Sequence, residues 1–171
     1  MNAMSNLILI GPMGAGKTTN GKWLARQLGK TFIDMDAYIE QKTGTGITHI
    51  FELEGEAGFR QREAAALAEI LANENQVIAT GGGSILLDAN RELMKRRGLV
   101  LYMHIPPEMQ LQRLLNDRKR PLLQTGDRAE RLQQLAAVRT PIYQSCADIK
   151  VDISRMPMSQ IRPHLLQTLL E

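Results

Sequence analysis

The clearest chemical signal in this 171-residue sequence is the segment GPMGAGKT at residues 11–18. It fits the pattern G-x-x-x-x-G-K-T and stands between a short apolar run and a helical pattern. Glycines in such a loop let successive backbone N–H groups surround phosphate oxygens without obstruction by side chains. Lys17 can then reach the outer phosphates, and the Thr18 hydroxyl can ligate Mg²⁺. The segment therefore predicts a site for a nucleoside triphosphate and magnesium.

A second candidate for chemistry is the carboxylate pair Asp34 and Asp36, which flanks Met35 at the end of a predicted strand. Alternate residues of a strand point the same way, and the carboxyl ends of parallel strands border the ligand crevice. One carboxylate could hold Mg²⁺, and the other could accept a proton from an attacking hydroxyl. The alternative is that Asp36 caps a following helix over residues 37–42.

Two arginines could recognise an acidic substrate. Arg60 and Glu63 are three residues apart in a predicted helix, so they can pair and orient Arg60 as a fork for a carboxylate. Arg139 offers a second fork from another segment, although either arginine could be an ordinary surface charge. The three glycines at 81–83 expose backbone N–H groups and leave room for a hydroxylated ring, but they could also form an ordinary loop.

The elements that must position these residues follow from the hydrophobic pattern. Predicted strands cover residues 7–10, 31–35, 77–80, 99–104 and 149–153. Predicted helices cover residues 17–28, 47–72 with an interruption near 55–58, a segment that begins at Pro106, and 159–170. This alternation indicates βαβ units on a parallel sheet. Residues 117–127 lie between two helical patterns and break the periodicity with basic residues, a proline and a glycine. This predicts a mobile lid; a solvated surface loop is the alternative.

Length and composition exclude several other classes of protein. A chain of 171 residues with 43% hydrophobic and 23% charged residues fits one globular domain. The apolar stretches are too short for a membrane helix, and the single Cys146 fits a reducing cytoplasm. The net charge is +3, but most arginines are scattered among separate motifs and the basic run at 118–120 lacks aromatic neighbours. Nucleic-acid binding is therefore not expected.

Four further segments carry patterns of their own: FELEGEAGFRQRE at 51–63, TGGG at 80–83, RKRPLL at 118–123 and RTPIY at 139–143. The first closely resembles the F-x-x-x-G-E-x-x-F-R-x-x-E motif of the shikimate kinase family. The others resemble the glycine-rich, lid and R-x-P-x-Y segments of that family. Together with GPMGAGKT and DMD, they occur in the family's order from residue 7 to about 150. Ser145 departs from the pattern, because the family often carries an acidic residue there.

The resemblance implies a fold and a reaction. The fold would be α/β, a three-layer P-loop kinase sandwich with a five-stranded parallel sheet, similar to nucleoside monophosphate kinases. One kinase domain would span residues 1–171, with a substrate-binding region at about 36–63 and a lid at about 117–127. The reaction would transfer the γ-phosphate of ATP to the 3-hydroxyl of shikimate, with Mg²⁺, in aromatic amino acid biosynthesis. The protein would be a cytoplasmic monomer without nucleic-acid or membrane partners.

The resemblance also implies roles for individual residues. Asp36 would bind ring hydroxyls and act as the base, Arg120 would move in with the lid, and Lys17 would complete the catalytic set. Thr18 and Asp34 would hold the metal. The residues implied for ATP binding are Gly14, Ala15, Gly16, Lys17, Thr18, Thr19, Arg113 near the adenine, and Arg120. The residues implied for shikimate binding are Asp36, Arg60, Gly81, Gly82, Gly83 and Arg139.

Three other functions fit parts of the sequence. A gluconate kinase would share the phosphate loop and the chain length, but it would not explain two carboxylate-binding arginines beside three glycines. A nucleoside monophosphate kinase would phosphorylate AMP or CMP instead. A nucleotide-binding scaffold without turnover would have no need for Asp36 as a base or Arg120 in a lid.

Overall fold

The computed structural model describes residues 5–115, 123 and 127–171. Within these ranges, five strands form one parallel sheet in the order β2-β3-β1-β4-β5, which confirms the expected sheet. The strands are β1 (Asn6–Ile10), β2 (Thr31–Asp34), β3 (Gln76–Ala79), β4 (Gly98–His104) and β5 (Ile149–Asp152). The helices are α1 (Lys17–Leu28), α2 (Met35–Thr43), α3 (Ile47–Leu71), α4 (Asp88–Arg97), α5 (Pro107–Arg113), α6 (Arg128–Cys146) and α7 (Met158–Leu170).

The central strand β1 is buried on both faces. Its side chains alternate between two cores, because successive residues of a strand point to opposite sides. Leu7 and Leu9 pack in a core that α1 and α7 cover. Ile8 and Ile10 pack in a second core that includes residues of α3, α4 and α6. The result is a three-layer arrangement, and it explains why the strands appear in the sequence as continuous apolar runs.

Helix α3 is kinked at Gly55, which confirms the predicted interruption. The backbone there has φ 70° and ψ −177°, a conformation that is essentially restricted to glycine. The part of α3 after the kink contributes Leu67, Ile70 and Leu71 to the core beneath the sheet. The part before the kink lies over the carboxyl ends of the strands, and Ile47 borders the cavity there. Because of the kink, one part of α3 packs in the core and the other part lines the cavity.

Two features of the helical layer differ from the sequence-based expectation. Helix α4 was not predicted, because it is polar on most faces and buries only Asn90 and Met94. Helix α2 begins at Met35 rather than at residue 37, so the preceding strand is one residue shorter than expected. Across the described ranges, no helix combines the length and the apolar composition that a bilayer span requires. The predicted lid at about 117–127 falls largely outside the described residues.

The amino end of β1 is held by the buried side chain of Asn6. Its amide nitrogen donates to the carbonyl oxygens of Asn73 at 2.9 Å and Arg97 at 3.2 Å. Its amide oxygen accepts from the backbone N–H of Gln76 at 3.1 Å. One side chain thus joins β1 to the segments that lead into both neighbouring strands, at the edge of the sheet opposite the carboxyl ends.

Replacing Asn6 with alanine should reduce the free energy of unfolding by about 2–4 kcal/mol, because it leaves buried backbone groups without partners. Urea denaturation with an unchanged m value would measure this loss. The matched control is Asn73→Ala, whose side chain is exposed and which should change stability by less than about 0.5 kcal/mol. Equal losses in the two variants would contradict the role assigned to Asn6.

Candidate active site

A cavity of about 690 Å³ opens at the carboxyl ends of the strands. Ligands of open α/β sheets bind at this edge, where strand ends and helix starts alternate. The cavity brings together most of the residues that the sequence singled out, although they come from distant segments. Those on its wall are Gly14, Gly16, Lys17, Thr18, Thr19, Asp34, Asp36, Arg60, Gly81, Gly82, Gly83 and Arg139.

The phosphate loop runs from the end of β1 to the start of α1. At Gly11, φ is 144° and a Cβ atom would lie 2.4 Å from the carbonyl oxygen of Met103, so only glycine fits beside β4. Gly16 precedes α1 with φ 89°. The loop therefore lies close against the sheet and directs the amino end of α1 toward the cavity. Backbone N–H groups and the helix dipole at this end favour a bound anion.

The Lys17 side chain folds back across its own loop. Its ammonium donates to the carbonyl oxygens of Gly11 at 2.6 Å and Pro12 at 2.9 Å. The residue is buried yet borders the cavity. These carbonyl contacts keep a positive charge next to the position that the loop offers to phosphate oxygens.

The helix cap that the sequence offered as the alternative role of Asp36 belongs to Asp34. The Asp34 carboxylate caps α2, since its Oδ1 accepts from the backbone N–H groups of Asp36 at 3.0 Å and Ala37 at 3.2 Å. Its Oδ2 accepts from the Thr18 hydroxyl at 3.1 Å. Asp36 lies in the first turn of α2 and borders the cavity. The two carboxylates share the cavity because a helix starts between them, not because they alternate along a strand.

The glycine run at 81–83 lies against the charged side chains of the cavity. A Cβ atom on Gly82 would lie 3.4 Å from Nη1 of Arg139, and one on Gly83 would lie 2.3 Å from Nη2 of Arg60. A Cβ atom on Gly81 would lie 3.2 Å from Oδ1 of Asp36. The Cβ position of Gly81 is also 2.8 Å from Glu63 Oε2, so two guanidinium groups and two carboxylates converge along a backbone that carries no side chains.

Arg60 is oriented by two carboxylates of its own helix. Its Nη1 donates to Glu63 Oε1 at 2.9 Å, and its Nη2 donates to Glu56 Oε1 at 3.3 Å. Glu63 is almost completely buried, with 1% of its side chain exposed. Among the described residues, Arg60 Nε and Glu63 Oε2 are buried without a hydrogen-bond partner. The predicted ion pair is therefore present, and it retains capacity for further hydrogen bonds at the cavity.

Burial dominates the electrostatics of this cluster. It raises the pKa of the Glu63 carboxyl, Asp36 raises it further, and Arg60 and Arg139 oppose the increase. Burial also lowers the pKa of the Arg139 guanidinium, an effect that the neighbouring Tyr143 opposes. Arginine remains charged throughout the physiological range, so the cavity presents two poorly solvated cations. Such groups interact strongly with a bound carboxylate because little water screens them.

The remaining predicted residues lie at the margin of the cavity or outside the described residues. Arg113 of α5 donates from Nη1 to the carbonyl oxygen of Gly14 at 2.7 Å, which places it behind the phosphate loop. Ala15 is buried within that loop, with 1% exposed. Arg120 falls outside the described residues, and its assigned role stays a prediction.

Sequence reasoning did not assign roles to several residues that build the cavity. The rings of Phe51 and Phe59 pack against each other in a tilted arrangement, at 4.8 Å between centroids, and form part of its wall. Glu40 accepts from the backbone N–H of Ile47 at 3.2 Å and thereby caps α3. The hydroxyl of Tyr143 donates to the carbonyl oxygen of Gly82 at 2.5 Å. The aromatic residues stand within the motifs at 51–63 and 139–143, but only the folded chain shows what they contact.

The cavity thus joins an anion-binding loop to an acid-binding wall, with the Asp36 carboxylate beside that wall. A nucleotide on the loop and a small acidic acceptor in the cavity would be close neighbours. The parallel sheet, the phosphate loop and this second subsite together define a P-loop kinase with the fold of nucleoside monophosphate kinases.

Comparisons with known proteins give the family. The sequence model described as shikimate kinase matches residues 13–170. A shikimate kinase of Nitrosococcus oceani is 45% identical over 96% of this chain and 86% of its own length. One from Halorhodospira halophila is 51% identical over 86% of this chain and 84% of its own. The shikimate kinase from Acinetobacter baumannii in complex with shikimate is 44% identical and has a TM-score of 0.93, over 98% of this chain and 93% of that one.

The chain therefore belongs to the shikimate kinase family. It is an ATP-dependent kinase that transfers phosphate to an alcohol group. A gluconokinase from Sinorhizobium meliloti covers 99% of this chain and 94% of its own with a TM-score of 0.61, but the identity is only 18%. That likeness shows a shared fold alone.

Replacing Arg60 with methionine should destabilise the protein by about 3 kcal/mol at pH 7.5, because the buried Glu63 carboxylate loses its partner. The pKa of Glu63 is already raised, and it should rise further in the variant. A raised carboxyl pKa lowers stability as the pH increases through it, so the deficit relative to wild type should narrow toward pH 5. Urea denaturation at several pH values would measure the difference in the free energy of unfolding between the two proteins.

The matched control is Arg62→Met, which removes an exposed bidentate pair with Glu54 on the same helix. This variant should lose much less stability at neutral pH. A deficit in Arg60→Met that stays constant between pH 5 and pH 7.5 would show that the buried carboxylate is not its source.

Proposed function

We propose that this chain transfers the γ-phosphate of ATP to the 3-hydroxyl of shikimate, giving shikimate 3-phosphate and ADP. The observation that carries the proposal is the convergence of Arg60 and Arg139 on the glycine run, inside the cavity that also holds the phosphate loop. The likeness to a family member in complex with shikimate supports the same acceptor. The reaction belongs to aromatic amino acid biosynthesis.

The acceptor is a ring with one carboxylate and several hydroxyls. Arg60 and Arg139 hold the carboxylate, since two cations from different helices can clamp one anion and exclude neutral sugars. The run at 81–83 lines the ring, because its backbone leaves space that side chains would fill. This clamp positions the ring at one end and leaves the 3-hydroxyl toward the nucleotide.

Asp36 acts as the general base. Its Oδ1 lies beside Gly81, on the wall that the ring contacts. It binds ring hydroxyls and takes the proton of the 3-hydroxyl as that oxygen attacks the γ-phosphorus. Positioning supplies the rest, because phosphoryl transfer needs little covalent chemistry from the protein.

The residues near the loop fit a magnesium ion. The Thr18 hydroxyl and the Asp34 carboxylate are hard oxygen donors, and their oxygens approach to 3.1 Å at the cavity wall. Within the described ranges, no group of three or more His, Cys, Asp or Glu side chains could hold a metal by itself. This matches Mg²⁺, which takes one or two protein oxygens and otherwise binds water and substrate phosphates. When bound, Mg²⁺ neutralises charge on the phosphates.

Three cations of the chain complete the proposal. Lys17 exchanges its loop carbonyl contacts for the β- and γ-phosphate oxygens. Arg120, in the lid proposed at about 117–127, stabilises charge on the transferring group, and closure of that lid keeps water from competing as acceptor. Arg113, which supports Gly14, lies near the adenine, and Gly14 to Thr19 hold the phosphates.

Organisation at a larger scale is proposed on similar grounds. One kinase domain comprises residues 1–171, with the substrate-binding region at about 36–63. The proposed assembly state is a monomer. The single cysteine, Cys146, has no second cysteine with which to form an internal disulfide, which supports a reducing cytoplasmic location.

The test is coupled ADP release with Mg-ATP and shikimate, gluconate, AMP or no acceptor. Shikimate should give release well above every other condition. Replacing Asp36 with asparagine should lower kcat by about 10²-fold or more, because the base is lost. The exposed control Asp88→Asn should keep wild-type kcat. Release with another acceptor only, or none above background, would refute the proposed function, and an active Asp36→Asn variant would refute the base.

Two variants at Asp34 separate its role as a helix cap from its role as a metal ligand. Asparagine caps helices as well as aspartate does, so Asp34→Asn should change stability by less than about 0.5 kcal/mol. Because the charge is lost, the Mg²⁺ concentration for half-maximal activity should rise about tenfold. Asp34→Ala should share the magnesium defect and also lose about 1 kcal/mol of stability. An unchanged Mg²⁺ requirement in Asp34→Asn would exclude Asp34 as a ligand.

A further inference from the structure

Tyr143 is a buried tyrosine whose hydroxyl points to the glycine run at 81–83, which lines the cavity, rather than into the core. It lies in α6 with 2% of its surface exposed, and its ring belongs to the core under the sheet. The hydroxyl donates to the carbonyl oxygen of Gly82 at 2.5 Å. A buried tyrosine hydroxyl needs a partner, and here the partner is the middle of the glycine run.

The same hydroxyl lies beside Arg139, one helical turn earlier in α6. The Cβ position of Gly82 is 3.4 Å from Arg139 Nη1 and 3.5 Å from Tyr143 Oη, so the three groups meet at one point. Interaction with Tyr143 raises the pKa of Arg139 against the lowering that burial causes. The hydroxyl can therefore accept from the guanidinium while it donates to the carbonyl, and such linked hydrogen bonds strengthen one another.

Arg139 lacks the carboxylate partners that orient Arg60, so its orientation depends on Tyr143. Arg60 is oriented by the Glu63 and Glu56 carboxylates. No carboxylate in the described ranges lies within ion-pairing distance of Arg139, although the residue is 5% exposed. A buried fork without an ionic partner needs another group to fix its direction, and Tyr143 is in position to supply it.

The ring of Tyr143 is itself fixed. It stacks on Tyr102 of β4 at 5.0 Å between centroids with an interplanar angle of 29°. The Tyr102 hydroxyl forms its hydrogen bond with His104 Nδ1, at 2.7 Å, and not with the glycine run. Two adjacent buried tyrosines thus have different tasks, since only one of them contacts the glycine run.

We propose that Tyr143 is a positioning residue for the acceptor: its hydroxyl holds Gly82 and the Arg139 guanidinium in fixed relative positions. The substrate carboxylate then binds a guanidinium that is already oriented, so binding does not have to order the Arg139 side chain. Gly82 also borders the phosphate loop, because its Cβ position lies 3.7 Å from the carbonyl oxygen of Gly11. This inference rests on the proposed function of the cavity.

The test removes the hydroxyl alone, with Tyr143→Phe. The KM and the Kd for shikimate should rise about tenfold, the typical effect of losing one well-placed buried hydrogen bond. The KM for ATP should stay within twofold and kcat within threefold, because the variant retains the base and the phosphate loop. The matched control is Tyr102→Phe, which removes the hydroxyl of a neighbouring buried tyrosine and should change the KM for shikimate by less than twofold.

A double-mutant cycle tests whether Tyr143 acts through Arg139. The single variant Arg139→Lys should weaken shikimate binding, because lysine cannot form a bidentate fork. Adding Tyr143→Phe to that variant should then cost less than a further threefold, since interacting residues are not additive. Fully multiplicative effects would overturn the proposal. Calorimetric Kd values report on folded molecules, so partial unfolding of a variant would not obscure the result.

The outcomes separate this inference from the function on which it rests. If the wild-type chain binds and phosphorylates shikimate but Tyr143→Phe keeps the wild-type KM and Kd, only the positioning role fails. The same conclusion follows if Tyr102→Phe and Tyr143→Phe raise the KM equally, because a general loss of packing would then explain both. A wild-type chain that neither binds nor phosphorylates shikimate would overturn both proposals.

Discussion

A parallel sheet places the carboxyl ends of all its strands at one edge, and the described part of the site depends on that constraint. The phosphate loop follows β1, Asp34 ends β2 and the glycine run follows β3. β1 lies between β3 and β4, so its loop is adjacent to the run. Thr80 links them, because both its backbone N–H and its hydroxyl donate to the carbonyl oxygen of Leu9, at 3.2 Å and 2.8 Å. The sheet thus holds the phosphate loop and the glycine run in a fixed relation.

Close packing of backbone against charge explains the pattern of glycines at this edge. Any side chain on Gly83 would occupy the place of the Arg60 guanidinium, and one on Gly11 would collide with the backbone of β4. Gly83 has φ −97°, so its requirement is space rather than backbone freedom. Gly11 needs both space and a positive φ. Glycine is therefore required for different physical reasons in the phosphate loop and in the glycine run.

The charged side chains over the glycine run are buried before any substrate binds. Burying ions is costly, and the chain offsets this by pairing Arg60 with Glu63 and by placing Tyr143 beside Arg139. Preset cations need no reorganisation when a carboxylate binds. A gluconokinase shares the fold at 18% identity, so the fold does not by itself choose the acceptor. Under the proposed function, the charged groups over the glycine run make that choice.

The sequence by itself determined the features that depend on local order: the loop at 11–18, the βαβ alternation and the ion pair of Arg60 with Glu63 one turn later. Local periodicity could not predict α4, which buries few apolar residues, or which aspartate caps α2. Only the tertiary structure decided that Arg60 and Arg139 meet at one glycine run and that the Tyr143 hydroxyl donates to the carbonyl oxygen of Gly82 there. Such contacts join segments far apart in the chain, and their geometry is fixed by how the helical layers pack on the sheet.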